Sequence, residues 1–142
     1  LIMGAVTTDA YLIGLATLVN VSGVTSLLNG GITKGPKRPD GISYPSVNVV
    51  ASLNDVGMDS TIQNYDGWFN VFVASEDNGS ADVATLSSIE SQILTAANVE
   101  RWTQGTTVCK SQFFLGTIGP LWDALEADVH YLTVRFRSYI SL

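Results

Sequence analysis

Few residues in this chain can perform nucleophilic or metal chemistry. It holds one cysteine, Cys109, and one histidine, His130, and their separation matches no standard metal-binding spacing. A nucleophilic cysteine needs a basic partner, whereas His130 alternates with exposed positions of a strand-like segment. The lone cysteine also cannot form an intrachain disulfide. We therefore predict no metal site and no cysteine nucleophile, and we expect Cys109 to be a small core residue.

Carboxylates are the remaining candidates for acid-base catalysis. They fall in predicted turns and at predicted strand ends, where solvated acidic side chains are common. The groups are Asp55 with Asp59, Glu76 with Asp77, and Asp123 with Glu126 and Asp128. The glycine-rich stretch follows a helix and precedes a strand, which is the reverse of the order in phosphate-binding loops. We therefore predict that the chain is not an enzyme and binds no cofactor.

The composition indicates one domain with an unusually high share of apolar residues. At 142 residues the chain is long enough to bury a real core. It is 46% hydrophobic and only 14% charged, against about 25% charged in an average soluble domain. Either the core is unusually complete or other subunits cover part of the apolar surface, and we favour the second. The net charge of −6 argues against binding nucleic acid through a broadly basic surface.

The sequence lacks the marks of membrane targeting. It has no apolar run of about eighteen residues, and its first residues lack the basic region of a signal peptide. We expect a protein made in the cytoplasm with no membrane partner. The opening Leu1-Ile2-Met3 leaves the true start of the gene product undecided.

A long strand from Asp128 to Ile140 is the clearest element of the sequence. Its residues alternate with a period of two, which predicts one face for the core and one for water or a partner. The core face would hold Leu132, Val134 and Phe136, and the other Tyr131, Thr133, Arg135 and Arg137.

Two helices are predicted from apolar residues that recur every three or four positions. The first is capped near Thr7 and runs to about Asn20, with one further turn before Asn29. The second opens at Ala81-Asp82, where the helix dipole favours an acid. Its buried stripe would be Val83, Leu86, Ile89, Ile93 and Leu94.

Three more strands complete the predicted fold. One follows Tyr44-Pro45, one spans Thr61 to Ala74 with a bulge at Asp66-Gly67, and one spans Thr106 to Leu115. The apolar stretch from Gly116 to Ala127 should fold back on the sheet. The order α-β-β-α-β-β predicts a single α+β domain over 1–142, with an antiparallel sheet of about four strands and two helices packed on one face.

Basic and aromatic residues are the candidates for recognition. A Gly/Pro-rich loop at 30–44 carries Lys34, Lys37 and Arg38, and it should be exposed because it can form neither a helix nor a central strand. Its charges, like those of Arg135 and Arg137, either stay solvated or pair with acids of a neighbouring copy. Trp68 should fill the core. Trp102 and Trp122 lie in predicted loops, where they either anchor a protein contact or pack on their own sheet.

The whole pattern resembles the tail-completion or tail-terminator proteins of long-tailed bacteriophages. The resemblance spans most of the chain and includes the first helix, the strand "SYPSVNVV" after the basic loop, the second helix after an aromatic strand, and "DVHYLTVRFRSYI". It implies copies of the chain in a ring, commonly of six, that caps the tail tube at the tail-neck junction of the virion. The tail tube protein and the head-tail connector or head-closure protein would be its partners, and DNA would pass through the lumen only as cargo.

The resemblance also implies an interface with other subunits or with the tube. We expect it to include Lys34, Lys37, Arg38, Trp102, Trp122, Arg135 and Arg137. The loop at 30–44 is the first choice for an arm that reaches a neighbour, and the turn from Asn54 to Thr61 is the second. Two alternatives stay open: a head-closure, neck or minor tail protein, and a small cytosolic ligand-binding domain with a groove lined by Trp102 and Trp122.

Overall fold

The chain forms one six-stranded sheet with its helices packed on one face. The computed structural model describes residues 6–56, 62–74, 79–122 and 128–141. In chain order the elements are α1 (Thr8–Val19), α2 (Ser22–Thr25), β1 (Gly31–Lys34), β2 (Ser46–Val56), β3 (Ile62–Ala74), α3 (Gly79–Ala97), β4 (Trp102–Gln104), β5 (Thr107–Trp122) and β6 (Val129–Ser141).

The sheet is mixed and has the order β1-β2-β3-β6-β5-β4. The predicted α+β class and the four long antiparallel strands are present as β2, β3, β6 and β5. The prediction of about four strands and two helices missed the two short edge strands, whereas the further turn expected before Asn29 is present as the short helix α2. β1 pairs with β2 in parallel and lies inside the segment predicted to be an open loop. β1 has only four residues and is flanked by glycines. It is therefore too short to show the alternation with a period of two from which a strand can be predicted.

The first helix begins as predicted, at a cap. The Thr7 hydroxyl accepts a hydrogen bond from the Ala10 amide at 3.1 Å, which satisfies one of the free donors of the first turn. Tyr11, Leu15 and Val19 then recur at intervals of four, and each is fully buried against the sheet.

The second long helix, α3, has a narrower apolar stripe than predicted. Leu86, Ile89 and Ile93 are buried, but Val83 is 46% exposed. The position that faces the core one turn before Leu86 is occupied by Asp82, which is buried. A buried carboxylate at a helix start needs a partner, and the sheet supplies one, as described below.

The final strand has the faces that its alternation predicts. Leu132, Val134 and Phe136 lie in the core, and the intervening side chains point to the other side of the sheet. The Phe136 ring meets Phe69 of β3 edge to face, with centroids 5.9 Å apart. Cys109 is buried in the same core, as expected.

β3 is one long strand, but the predicted bulge at Asp66-Gly67 is wrong. β3 pairs residue by residue with β6 from Ile62 to Ala74 without a shift. Gly67 is instead required by the packing of α1 against the sheet. A Cβ at Gly67 would collide with Leu15 and would lie 2.7 Å from the Tyr11 hydroxyl, so its absence lets α1 lie close to the sheet.

Replacing Gly67 with alanine should therefore lower the free energy of unfolding by about 1–3 kcal/mol through overpacking. Urea unfolding of the two proteins would measure the difference. Gly23→Ala is the matched control, because its Cβ would meet only the end of the flexible Gln92 side chain. We expect that control to be neutral or slightly stabilising, and equal losses in both variants would contradict the packing argument.

β5 runs much further than predicted. Residues 116–122 were expected to fold back on the sheet, and instead they continue β5 beside β6, with register shifts before Gly116 and before Leu121. β4 pairs with only the first three residues of β5, Thr107 to Cys109. The distal half is rich in exposed apolar residues: Phe113, Phe114, Ile118, Leu121 and Trp122.

Among the described helices, none is long and apolar enough to span a membrane.

Candidate interaction surface

The face of the sheet opposite α1 and α3 carries most of the polar and aromatic side chains on the long strands. We call it the open face and define it by Asp66, Trp68, Asn70, Phe72, Tyr131, Thr133, Arg135 and Arg137. Directly opposite residues of β3 and β6 pair across it. The Thr133 hydroxyl donates to Asn70 at 2.7 Å, and the Phe72 and Tyr131 rings lie 5.7 Å apart.

An ion pair crosses the open face between Asp66 and Arg137. The guanidinium donates two hydrogen bonds, from Nε to Oδ1 at 2.8 Å and from a terminal nitrogen to Oδ2 at 3.2 Å. Because this contact favours the ionised carboxylate, it lowers the pKa of Asp66 below its ordinary value of 3.8. Arg137 is therefore already used within its own chain.

This pair should make stability fall in acid. Since the folded-state pKa of Asp66 is lowered, its contribution is present above the ordinary value of 3.8 and is lost as the pH falls through the folded value. The free energy of unfolding, measured in urea between about pH 2 and pH 7, should thus fall less steeply in acid for Asp66→Asn than for the wild type. Asp40→Asn, which alters an exposed carboxylate beside Lys37, should retain the wild-type slope. Identical slopes for all three proteins would contradict the expectation.

Arg135 lies in a groove on the open face. The groove has a volume of about 390 Å³, and its lining includes Ser52, Asp66, Trp68, Leu115, Ile118 and Arg135. Arg135 is half-buried opposite Trp68. It shares the groove with Asp66, whose pKa is lowered chiefly by the hydrogen bonds from Arg137 and also by the charge of Arg135. Trp68 was expected to fill the core, but it lies on the strand face that α1 and α3 do not cover. The groove therefore combines a guanidinium, a carboxylate and apolar walls.

The basic loop is held against the protein more closely than predicted. The Arg38 guanidinium lies 4.5 Å from the centre of the Phe72 ring, and its Nε donates to the Tyr44 hydroxyl at 3.1 Å. Lys34 pairs with Asp9 of α1 at 3.6 Å. These contacts connect the segment to the rest of the protein at Lys34 and at Arg38. The structure thus brings Arg38, Arg135 and Arg137 to the open face, while Lys34 and Lys37 lie outside it.

Trp102 belongs to the core and not to an exposed loop. Its ring packs against Gly14 of α1 and stacks with Tyr11, with centroids 6.2 Å apart. Its Nε1 donates to Gln112 Oε1 at 2.7 Å. The sequence could not reveal this, because Trp102 sits in a strand of only three residues. The predicted groove between Trp102 and Trp122 is absent from the described structure, since the two residues lie in different parts of the sheet.

Trp122 lies at the far end of the β5-β6 hairpin, where it is 61% exposed. The Trp122 and His130 rings meet in an edge-to-face arrangement, with centroids 3.7 Å apart. His130 Nδ1 in turn lies 2.9 Å from the buried carboxylate of Asp82 at the start of α3. Sequence reasoning missed this chain of contacts, because no local pattern links a helix start to a strand 48 residues later.

Two observations concern the chemistry that the sequence could support. Among the described residues, no three histidine, cysteine or acidic side chains gather as metal ligands. Burial raises the pKa of the Cys109 thiol to about 11, which disfavours the nucleophilic thiolate. Most of the predicted acidic groups, and the turn proposed as a second arm, lie wholly or partly outside the described residues; of those carboxylates, only Asp128 has a described, exposed side chain.

Comparison with protein-family models gave no match, and a search of curated proteins gave none either. Among solved structures, the chain is similar to a protein of the virion of a native gene transfer agent particle, with a TM-score of 0.69 and 13% sequence identity. The similarity covers 97% of this chain and 100% of that chain. At this level of identity, it shows that the two proteins share one fold over nearly their whole lengths.

Proposed function

We propose that the chain is a structural virion protein that forms a ring at the end of a phage-like tail tube. In this role, as a tail terminator, copies of the chain contact one another laterally, close the tube and join it to the head-tail connector. The observation that carries the proposal is the fold shared with a protein of a gene transfer agent virion across the full length of that chain. The sequence resemblance to tail-terminator proteins points the same way.

The surface of the molecule supports a role in assembly. A ring subunit needs two different lateral surfaces, because a head-to-tail contact joins unlike patches. The open face and the exposed Trp122 at the end of β5 are two such patches, and they differ in character and place. The open face is polar and aromatic and lies opposite α1 and α3, whereas Trp122 lies on the helix side, where it meets His130, the partner of Asp82 in α3.

The charge balance supports a channel that lets DNA pass. The chain carries a net charge of −6, and its folded basic residues are partly neutralised by internal contacts such as Arg137 with Asp66 and Lys34 with Asp9. An acidic lumen repels the phosphate backbone, so DNA would slide through without being held.

Native mass measured over a range of concentrations, with negative-stain images of the species found, tests the proposal. We expect closed rings of several copies, commonly six, or rings that form as concentration rises. A strict monomer at every concentration would contradict ring formation. Adding assembled tail tubes then distinguishes a tail terminator from a head-closure or neck protein. A tail terminator should cap the end of the tube, whereas a head-closure or neck ring should leave that end bare.

A further inference from the structure

Part of the basic loop lies between two fixed points at one end of the open face. We call this part the strap and define it as residues 36–43, which form neither helix nor strand. Just before the strap, the Gly35 amide donates a hydrogen bond to the Val49 carbonyl at 3.0 Å. Just after it, the Pro45 carbonyl accepts one from the Gly30 amide at 2.9 Å. The backbone thus anchors the strap near both of its ends.

Arg38 connects the middle of the strap to the sheet. Its guanidinium carbon lies 4.5 Å from the centre of the Phe72 ring and 6.0 Å from the centre of the Tyr44 ring. Its Nε also donates to the Tyr44 hydroxyl at 3.1 Å. A guanidinium over an aromatic ring is attracted by the negative charge density of the ring face. Arg38 is half-buried in this position, whereas Lys37 and Pro39 on either side of it are exposed.

The strap covers an aromatic pair on the open face. Phe72 is only 7% exposed, although it belongs to the face that α1 and α3 do not cover. Among the described side chains, that of Arg38 lies over the Phe72 ring, and the Tyr131 ring packs beside it with centroids 5.7 Å apart. Trp68, four residues earlier on the same face of β3, is more exposed. We attribute the burial of Phe72 to the strap.

The backbone around the strap is suited to hinge motion. Gly35 has a φ of 130° and Gly41 a φ of 73°, which are conformations that residues with a side chain rarely adopt. A Cβ at either glycine would meet nothing within 4 Å, so no neighbouring group restrains the chain on that side. The ion pair of Lys37 with Asp40, at 3.5 Å, joins two residues of the strap and does not tie the strap to the sheet. Glycine changes its dihedral angles at little cost, so we place the hinges at Gly35 and Gly41.

We propose that the strap is a lid over Phe72 and Tyr131, and that Arg38 holds it closed through its contact with the Phe72 ring. When this contact breaks, the strap swings on its two glycines and the aromatic pair becomes accessible. Aromatic side chains are enriched where proteins meet, so the strap controls how much of the open face is available for a contact. This inference concerns a single subunit and does not rest on the proposed ring.

Trypsin digestion tests the proposal, because the peptide bond between Lys37 and Arg38 lies within the strap. Arg38→Gln removes the guanidinium and leaves Lys37 as a cleavage site. Phe72→Leu removes the ring and leaves the sequence of the strap unchanged. We expect the initial rate of cleavage after Lys37 to rise at least about fivefold in both variants, because cleavage follows the open fraction when opening is fast. Mass spectrometry of the fragments identifies the bond that is cut.

Three controls accompany the digestion. Arg101→Gln removes the same charge at an exposed residue outside the strap and should be cut after Lys37 at the wild-type rate. Cleavage after Lys110, which lies within β5, reports unfolding of the sheet and should stay slow in every variant. Peptides covering residues 33–43, with and without Arg38→Gln, correct for the altered residue that follows the cut.

Hydroxyl-radical footprinting measures the accessibility of the covered side chains themselves. Arg38→Gln should raise the oxidation of Phe72 and Tyr131 at least about threefold, because local opening exposes both rings. Phe69 is fully buried on the helix side of β3, so its oxidation should not change.

Each outcome decides for or against the strap. If cleavage after Lys37 and oxidation of Phe72 stay at the wild-type level in Arg38→Gln, Arg38 does not hold the strap and the proposal is wrong. If cleavage after Lys110 rises as much as cleavage after Lys37 in both variants, the contact supports the whole sheet and not a lid, which also refutes the proposal. Wild-type Phe72 that is oxidised as readily as the exposed Phe113 would show that the strap does not cover the ring.

Discussion

Replacing Gln112 with leucine should lower the free energy of unfolding by about 3–5 kcal/mol, because it removes the centre of a buried hydrogen-bond network. The Gln112 side-chain oxygen accepts from Trp102 Nε1 at 2.7 Å and from the Ser138 hydroxyl at 2.8 Å. Its amide nitrogen donates to the carbonyl of Ala97 at 2.8 Å. Leucine has a similar size but leaves these groups without a partner and away from water.

The network extends to the first helix through Tyr11. Since Gln112 Oε1 can only accept, the single hydroxyl hydrogen of Ser138 is used there, and the Tyr11 hydroxyl must donate to Ser138 Oγ, 2.7 Å away. Burial raises the pKa of Tyr11, which keeps this hydroxyl protonated and able to donate. One glutamine thus connects α1, the end of α3, β4 and β6.

Urea unfolding measures the effect of Gln112→Leu. The control is Gln104→Leu, which makes the same change at a half-exposed residue of β4 and should alter the free energy of unfolding by less than about 0.5 kcal/mol. A loss below about 1 kcal/mol in Gln112→Leu would mean that the freed groups find other partners, and the network would then be of little consequence for stability.

Truncating Phe136 to alanine should cost about 3–5 kcal/mol of unfolding free energy, the usual result for a fully buried aromatic residue. Phe136 is completely buried at the centre of β6, edge to face with Phe69, and 5.6 Å from the Phe114 ring. These neighbours come from strands on both sides, and they cannot collapse into the space without breaking the register of the sheet.

Phe113→Ala provides the comparison for Phe136→Ala. Phe113 is the Cα partner of Arg137, lies on the opposite side of the sheet and is 41% exposed. Its truncation should cost about 1 kcal/mol or less in the same denaturant titration. Similar losses at both positions would show that the open face contributes as much to folding as the helix-covered core does.

Local patterns in the sequence predicted the long elements well. The alternation of β6 predicted both of its faces correctly. With a period of two, placing the apolar residues in the core puts every intervening residue on the opposite face. The cap at Thr7 and the spacing of Tyr11, Leu15 and Val19 gave α1 to within one residue of its observed end. Arg135 and Arg137 were correctly placed on the face away from the core.

Features that depend on distant partners could not be predicted in this way. The role of Gly67 depends on α1, whose Leu15 lies 52 positions earlier in the chain. Arg135 and Arg137 are identical in type and share a face, but only Arg137 forms hydrogen bonds with Asp66 of β3, whereas Arg135 acts on that carboxylate through its charge alone. Which arginine forms the direct ion pair is a property of strand register, and strand register becomes visible only in the folded sheet.

β5 is paired with a neighbouring strand on both sides only near its start. Its first residues are held by β4 on one side and β6 on the other, whereas residues 113–122 are paired with β6 alone among the described strands. Amide hydrogens on that outer edge are open to exchange with solvent, while those of β3 and β6 are held at the centre of the sheet. We therefore expect the outward-facing amides of residues 113–122 to exchange faster than those of β3 and β6.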